Sequence, residues 1–137
     1  MIIAVDFDGT IVEDSYPSIG KPKLFAFETL IALQKQNHRL ILWTVREGKS
    51  LEEAVTFCKK NGVEFYAVNK NYPEEVLEEG QSRKLNADVF IDDRNVGGFV
   101  GWDQVWQLLG GEQYLHHERP MVLKKKGLFE KLKDILK

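Results

Sequence analysis

The sequence predicts a doubly wound, mainly parallel α/β fold in which strands alternate with helices around one sheet. Three short apolar runs, at residues 2–6, 40–43 and 89–91, resemble strands that are covered on both faces. Segments with helical spacing of apolar residues separate them, and 137 residues suit one domain with its own core. We therefore expect a three-layer sandwich in which the strand ends meet at one edge of the sheet.

Turn formers and capping patterns set the expected boundaries of these elements. A capping box at Ser50 to Glu53 should start the second helix, and Asn61-Gly62 should end it. Pro73 suits a first helical position, and Asp103 suits an N-cap. The expected order is strand 2–6, loop 11–21, helix 23–37, strand 40–43, helix 50–61, strand 63–68, a short helix 73–80, strand 89–91, a turn at 97–98, a short strand near 99–100 and helix 103–109.

Composition narrows the class of protein. A net charge of −2 provides no general attraction for nucleic acid. The single cysteine, Cys58, excludes an internal disulfide framework and lies in an apolar helical segment, so we expect a small buried hydrophobe in a protein of the reducing cytosol. No run approaches the length of a membrane span, and no basic leader precedes the first strand, so we expect a cytoplasmic protein without stable membrane insertion.

Two carboxylates, Asp6 and Asp8, end the first apolar run in the pattern Asp-x-Asp-Gly-Thr. Side chains two positions apart lie on the same face of a continuous strand. We expect the strand to end between Asp6 and Asp8, so the path of the backbone after the strand decides whether the two carboxylates serve one site. Gly9 would let the backbone curl back immediately after the strand. Such a pair suits a hard cation and a phosphate, with one acid binding or attacking and the other transferring a proton.

Three further polar positions follow or precede the later strands. Thr44 ends the second apolar run, and Asp92 and Asp93 end the fourth predicted strand. Lys84 lies eight residues before Asp92, with Lys70 as the competing candidate. Each could be an ordinary turn or solvated residue, but their combination at strand ends predicts a single site.

In this order the four segments resemble the motifs of the haloacid dehalogenase-like (HAD) superfamily, over roughly residues 1–110. The resemblance implies a Rossmann-like core and a Mg²⁺-dependent phosphoester hydrolase. Asp6 would be the nucleophile that forms an aspartyl-phosphate, and Asp8 the general acid and base. Mg²⁺ would be held by the Asp6 carboxylate, the Asp8 backbone carbonyl and Asp92 or Asp93. Asp92 is favoured as the direct ligand, and Asp93 would bind directly or through water.

The resemblance also implies which residues bind the substrate. Thr44 and Lys84 would bind phosphoryl oxygens, whereas Arg46 and Arg94 lie beside the site in sequence and could bind an anionic substrate or could simply be solvated. The gaps between motifs leave no room for the separate cap domain of larger members. We therefore expect a capless enzyme with an open site, which suits either a macromolecular phosphoester or a small one enclosed by a neighbouring subunit. The net charge of −2 offers little attraction for long polyanions and favours a small phosphorylated metabolite, such as a sugar or nucleotide, in an oligomer.

The expected domain organisation is a catalytic domain at residues 1–111 and a tail at residues 112–137. The tail should contain a short basic amphipathic helix from residue 128 onward. That helix could pack on its own domain, join two copies in a homo-oligomer, or meet a membrane surface or another partner.

Two other classes of function remain open on the sequence alone. The chain could be a non-catalytic HAD-fold protein that binds Mg²⁺ or phosphate, or serves as a scaffold, because fold does not imply function. It could also resemble a response-regulator receiver, which uses an acid cluster, a Thr and a Lys. Receivers, however, place their phosphorylated Asp after a middle strand, whereas here the Asp-x-Asp pattern follows the first.

Overall fold

The computed structural model describes residues 1–110, which form a four-stranded sheet with helices. The strands are β1 (Ile2–Val5), β2 (Arg39–Leu42), β3 (Ala67–Val68) and β4 (Val89–Ile91). Their spatial order is β3-β2-β1-β4, and every neighbouring pair is parallel. In the register of the sheet, Ala4 of β1 lies between Ile41 of β2 and Phe90 of β4. The predicted mainly parallel α/β architecture is therefore confirmed.

Three helices complete the described chain: α1 (Ala26–Lys35), α2 (Gly48–Lys60) and α3 (Trp102–Val105), which continues as a π-helical turn from Trp106 to Gly110. In α1, Phe27, Leu30 and Leu33 recur at helical spacing and are all buried. The predicted end of α2 is confirmed, because Asn61 is its C-cap and Gly62 takes a positive φ of 90°.

The alternation of side chains along β1 divides the core into two clusters. Ile3 and Val5 face the larger cluster, to which α1, α2 and α3 all contribute buried side chains. Cys58 of α2 is completely buried there, as expected, and its burial raises the pKa of the thiol to about 12. Trp102 of α3 is among the largest side chains in this cluster. One face of the sheet is thus covered by helices.

The opposite face of the sheet is covered without helices in the described chain. Its smaller cluster contains buried residues of the strands together with Leu85, and no residue of α1, α2 or α3. The helix predicted at residues 73–80 is wrong, since that segment forms turns and irregular backbone. It contains four Glu, and its Val76 is 77% exposed, so a helix there would have no apolar face to bury. The expected third layer is accordingly not helical within residues 1–110.

Several predicted boundaries also differ. The capping box is wrong, because α2 begins two residues earlier at Gly48 and the Ser50 hydroxyl donates to the carbonyl of Glu47. The third strand is shorter than predicted, since the Val63 N–H donates to the Cys58 carbonyl and closes the end of α2 instead. Residues 99–100 form no strand, and α3 begins before Asp103, which makes no side-chain cap.

Within residues 1–110, no helix combines the length and apolar character that crossing a membrane would require. The amphipathic helix predicted in residues 112–137, and any oligomer formed through it, lie outside the described residues.

Candidate active site

The strand ends that carry the acidic residues are neighbours in the sheet. Asp6 follows β1 directly, and its N–H donates to the carbonyl of Ile91, the last residue of β4 (3.0 Å). Carboxylate oxygens of Asp6, Asp92 and Asp93 lie within 4.8 Å of one another. From β1 the chain builds outward to β2 and β3, and then returns to the other side of β1 as β4. The acidic triad therefore lies at the point of reversal where open α/β sheets bind their ligands.

The turn after Asp6 depends on Gly9. Gly9 has a φ of 81°, a region that other residues rarely adopt. A Cβ atom at this position would also overlap the carboxylate of Asp93. On the far side of the turn, Thr10 donates its hydroxyl to Asp6 Oδ2 (3.3 Å) while its carbonyl accepts from the Trp102 indole (2.8 Å). The turn is thus fixed to α3 and leaves space for Asp93.

The acidic triad is electrostatically unfavourable without a cation. Burial of Asp6, a hydrogen bond with Asp93 and the negative charge of Asp92 together raise the pKa of Asp6 to about 7. Asp93 Oδ1 is buried and has no hydrogen-bond partner. Because buried acceptors are normally satisfied, these three acids have the composition and proximity of a site that could hold a metal ion.

Thr44 follows β2 at the same edge of the sheet. Its backbone N–H donates to the side-chain oxygen of Asn69 (2.8 Å), and its hydroxyl oxygen accepts a hydrogen bond from the backbone N–H of Arg46 (3.1 Å). Within residues 1–110 the Thr44 hydroxyl donates to no other group, so it can still donate a hydrogen bond to a ligand. Asn69, which takes a positive φ of 54°, is a positioning residue that the sequence patterns did not reveal.

Asp6, Asp8, Thr44 and Asp92 line one cavity of about 240 Å³. Tyr16, 56% exposed, belongs to the predicted loop 11–21, and Trp43 precedes Thr44. Neither was predicted as a site residue. Arg94 is the basic side chain among the described lining residues. The lining comprises Asp6, Asp8, Asp14, Tyr16, Trp43, Thr44, Val45, Asp92 and Arg94.

Arg46 has partners other than the expected anionic substrate. Its guanidinium forms a bidentate pair with Asp8, with Nε to Oδ2 at 2.7 Å and Nη2 to Oδ1 at 2.8 Å. The remaining N–H groups donate to the backbone carbonyls of Pro17, Ser18 and Ser50. Only 1% of Arg46 is exposed, and the hydrogen bond to Asp8 raises its pKa above the ordinary value. All five N–H donors are therefore in use, and none is left for a substrate.

Comparison with known proteins places the chain in a family. No protein family model and no curated protein matches the sequence. A solved structure of a conserved protein from Bacteroides thetaiotaomicron is 54% identical, with a TM-score of 0.75 over 86% of this chain and 98% of that one. The chain belongs to the family of this conserved protein.

In this family member, the predicted site residues fall into two groups. One group lines the cavity or forms the triad: Asp6, Asp8, Thr44, Asp92, Asp93 and Arg94. The other group consists of Lys84 and of Arg46, which is buried and does not line the cavity. The ammonium of Lys84 lies 5.7 Å from the centroid of the Phe90 ring, and within residues 1–110 it makes no ion pair with a site carboxylate within 4.0 Å. The role of Lys84 at a phosphate stays a prediction.

Proposed function

We propose that the protein is a Mg²⁺-dependent phosphoester hydrolase of the capless HAD type that acts through an aspartyl-phosphate. One observation carries the proposal: Asp6, Asp8 and Thr44 line the same cavity, beside the triad of Asp6, Asp92 and Asp93. A nucleophile, a proton donor, a phosphate ligand and a cation site are the groups that such a reaction requires.

Mg²⁺ fits the donor set that the chain offers. The donors are hard oxygen ligands, and the unpartnered Asp93 oxygen and the raised pKa of Asp6 both favour a bound cation. The Asp6 carboxylate, the Asp8 backbone carbonyl and Asp92 or Asp93 would hold it. When bound, Mg²⁺ would offset the repulsion between these carboxylates and the phosphoryl oxygens.

The residues of the chain then have distinct roles in the reaction. Asp6 forms a new bond to phosphorus as the bond between phosphorus and the ester oxygen breaks, and Asp8 gives its proton to the departing oxygen. Asp8 next takes a proton from the water that attacks phosphorus and releases phosphate from Asp6. Thr44 donates its hydroxyl to a phosphoryl oxygen, with Lys84 as the proposed cation on the same group.

The cavity favours a small substrate. Its volume of about 240 Å³ is below the usual range of about 300–1,000 Å³ for small-molecule sites, so it can enclose only a small substrate. Tyr16 and Trp43 provide aromatic surfaces against which a sugar or a base can pack, and Arg94 can bind a further anionic group. These features support a phosphorylated metabolite, such as a sugar phosphate or a nucleotide, as the substrate class.

A screen of sugar phosphates, nucleotides and phosphopeptides with Mg²⁺ tests the proposal. We expect turnover of at least one small phosphoester, its loss on chelation and its recovery when Mg²⁺ is restored. Asp6→Asn should reduce hydrolysis to background because the amide cannot attack phosphorus. Asp103→Asn, outside the cavity lining, is the matched control.

Turnover that survives exhaustive chelation, or a folded Asp6→Asn protein that retains activity, would contradict the mechanism. Binding of Mg²⁺ or phosphate without turnover of any ester would instead support the non-catalytic alternative.

A further inference from the structure

We propose that Arg46 is a positioning residue that fixes the carboxyl group of Asp8 for proton transfer and attaches the overlying loop to it. The inference rests on the proposed hydrolase function. It assigns Arg46 a role different from binding substrate, and it begins from the burial of this side chain, which is 1% exposed. Arginine is almost never so buried unless it is paired.

The guanidinium of Arg46 joins three separate segments of the chain. Two of its N–H groups hold both oxygens of Asp8, which lies in the turn after β1. Two others donate to the carbonyls of Pro17 and Ser18 in the loop above the site, and the fifth donates to Ser50 in the first turn of α2. Because a guanidinium is planar and its five donors have fixed directions, the group holds these segments in one geometry.

Two aromatic rings fix the guanidinium further. Its central carbon lies 5.0 Å from the centroid of Phe7 and 5.2 Å from that of Tyr16. Phe7 is completely buried, whereas Tyr16 lines the cavity. The contact with Tyr16 therefore connects the buried arginine to the surface that a substrate would meet.

The arrangement of Asp8 follows from this pairing. Its carboxylate oxygens are not part of the triad formed by Asp6, Asp92 and Asp93, although Asp8 lies only two residues from Asp6. Both oxygens accept from Arg46, so the plane of the carboxyl group is set by the guanidinium. A general acid must be aligned with the leaving oxygen, so a loss of this orientation should affect proton transfer more than substrate binding.

The dependence on leaving group distinguishes positioning from other roles. Nitrophenolate leaves phosphorus without needing a proton, whereas the alkoxide of an alkyl phosphate needs one. For Arg46→Lys, we expect kcat/KM on an alkyl phosphate to fall by about tenfold or more, with a much smaller fall on p-nitrophenyl phosphate. We compare kcat/KM because it covers only the steps up to phosphoryl transfer to Asp6 and excludes the later hydrolysis, which is common to both esters. Arg39→Lys, which replaces an exposed arginine packed on Tyr66 at the start of β2, is the matched control and should leave both rates unchanged.

A second pair of variants keeps the test valid if Arg46→Lys does not fold. Asp8→Asn should show the same leaving-group dependence, and adding Arg46→Met to it should cause little further loss of kcat, because both changes remove one function. The double variant leaves no unpaired carboxylate or guanidinium at this position.

Three results would overturn the inference. An equal fall in kcat/KM on both esters, with kcat also reduced, would indicate a general structural role for Arg46, and a rise in KM at unchanged kcat would indicate substrate binding. Fully additive losses in the double variant would show that Arg46 does not act through Asp8. A wild-type protein that hydrolyses neither ester would refute the proposed function itself, and this inference with it.

Discussion

Replacement of Asp6 by Asn should stabilise the metal-free protein at pH 8. The pKa of Asp6 is raised from 3.8 to about 7 by burial, Asp93 and Asp92, so the folded state holds a proton that the unfolded chain has already lost. The stability of the wild type should therefore fall as pH rises from about 4 to about 7. An Asn cannot ionise, and its amide can donate to Asp93, so the variant should lose no stability from this position.

The size of the effect follows from the two pKa values. At about 1.4 kcal/mol for each pH unit, the difference between 3.8 and about 7 sets an upper limit of about 4 kcal/mol. Asp6 is only partly buried, so solvent screening reduces our expectation to about 1–2 kcal/mol. In a chain of this length, that difference corresponds to a rise of roughly 3–8 °C in Tm.

Urea unfolding with a chelator, at several pH values between 4 and 8, measures the difference between the two proteins. The advantage of the Asn variant should be small at pH 4, grow through pH 6 and level off above pH 7. Glu52→Gln, at an exposed position on α2, is the matched carboxylate control. With Mg²⁺ the order should reverse, since only the wild type keeps the full ligand set. A difference that does not change with pH would refute the electrostatic reasoning.

Two further substitutions test the local geometry. Gly9→Ala should destabilise the protein by roughly 1–3 kcal/mol in urea unfolding, because an alanine is unfavourable at this positive φ and its methyl group would overlap Asp93. Gly80→Ala is the control, since Gly80 also has a positive φ but has open space around it, and it measures the backbone effect without the overlap. Equal losses in the two variants would mean that Asp93 does not approach Gly9. Lys84→Ala should lower kcat far more than Lys70→Ala, and the reverse ranking would mean that the motif was misplaced.

The grouping of the strand-end residues could be predicted from the sequence because it needs only short-range patterns. Asp6, Thr44, Asp92 and Asp93 each follow an apolar run, and parallel strands bring their carboxyl ends to one edge. These three runs are β1, β2 and β4 in the structure, whereas β3 is shorter than its pattern implied.

The role of Arg46 could not be predicted in the same way. Apart from Asp8, its partners are backbone carbonyls, and those of Pro17 and Ser18 lie 28 or 29 residues away in sequence. No side-chain pattern marks a carbonyl as an acceptor, so only the folded loop reveals these bonds. The error at residues 73–80 has a different cause. Pro73 and Gly80 are typical of helix ends, but the residues between them have too little apolar surface to stabilise a helix.

Because Cys58 is completely buried, its rate of alkylation can report how often the protein opens transiently. With a thiol pKa of about 12, only about one molecule in ten thousand would carry a thiolate at pH 8, and none of its surface meets solvent. Alkylation should therefore proceed only through conformations in which α2 has separated from the sheet. The labelling rate would follow the population of those conformations without an added probe, and a cysteine introduced on the surface could be labelled selectively while Cys58 stays protected.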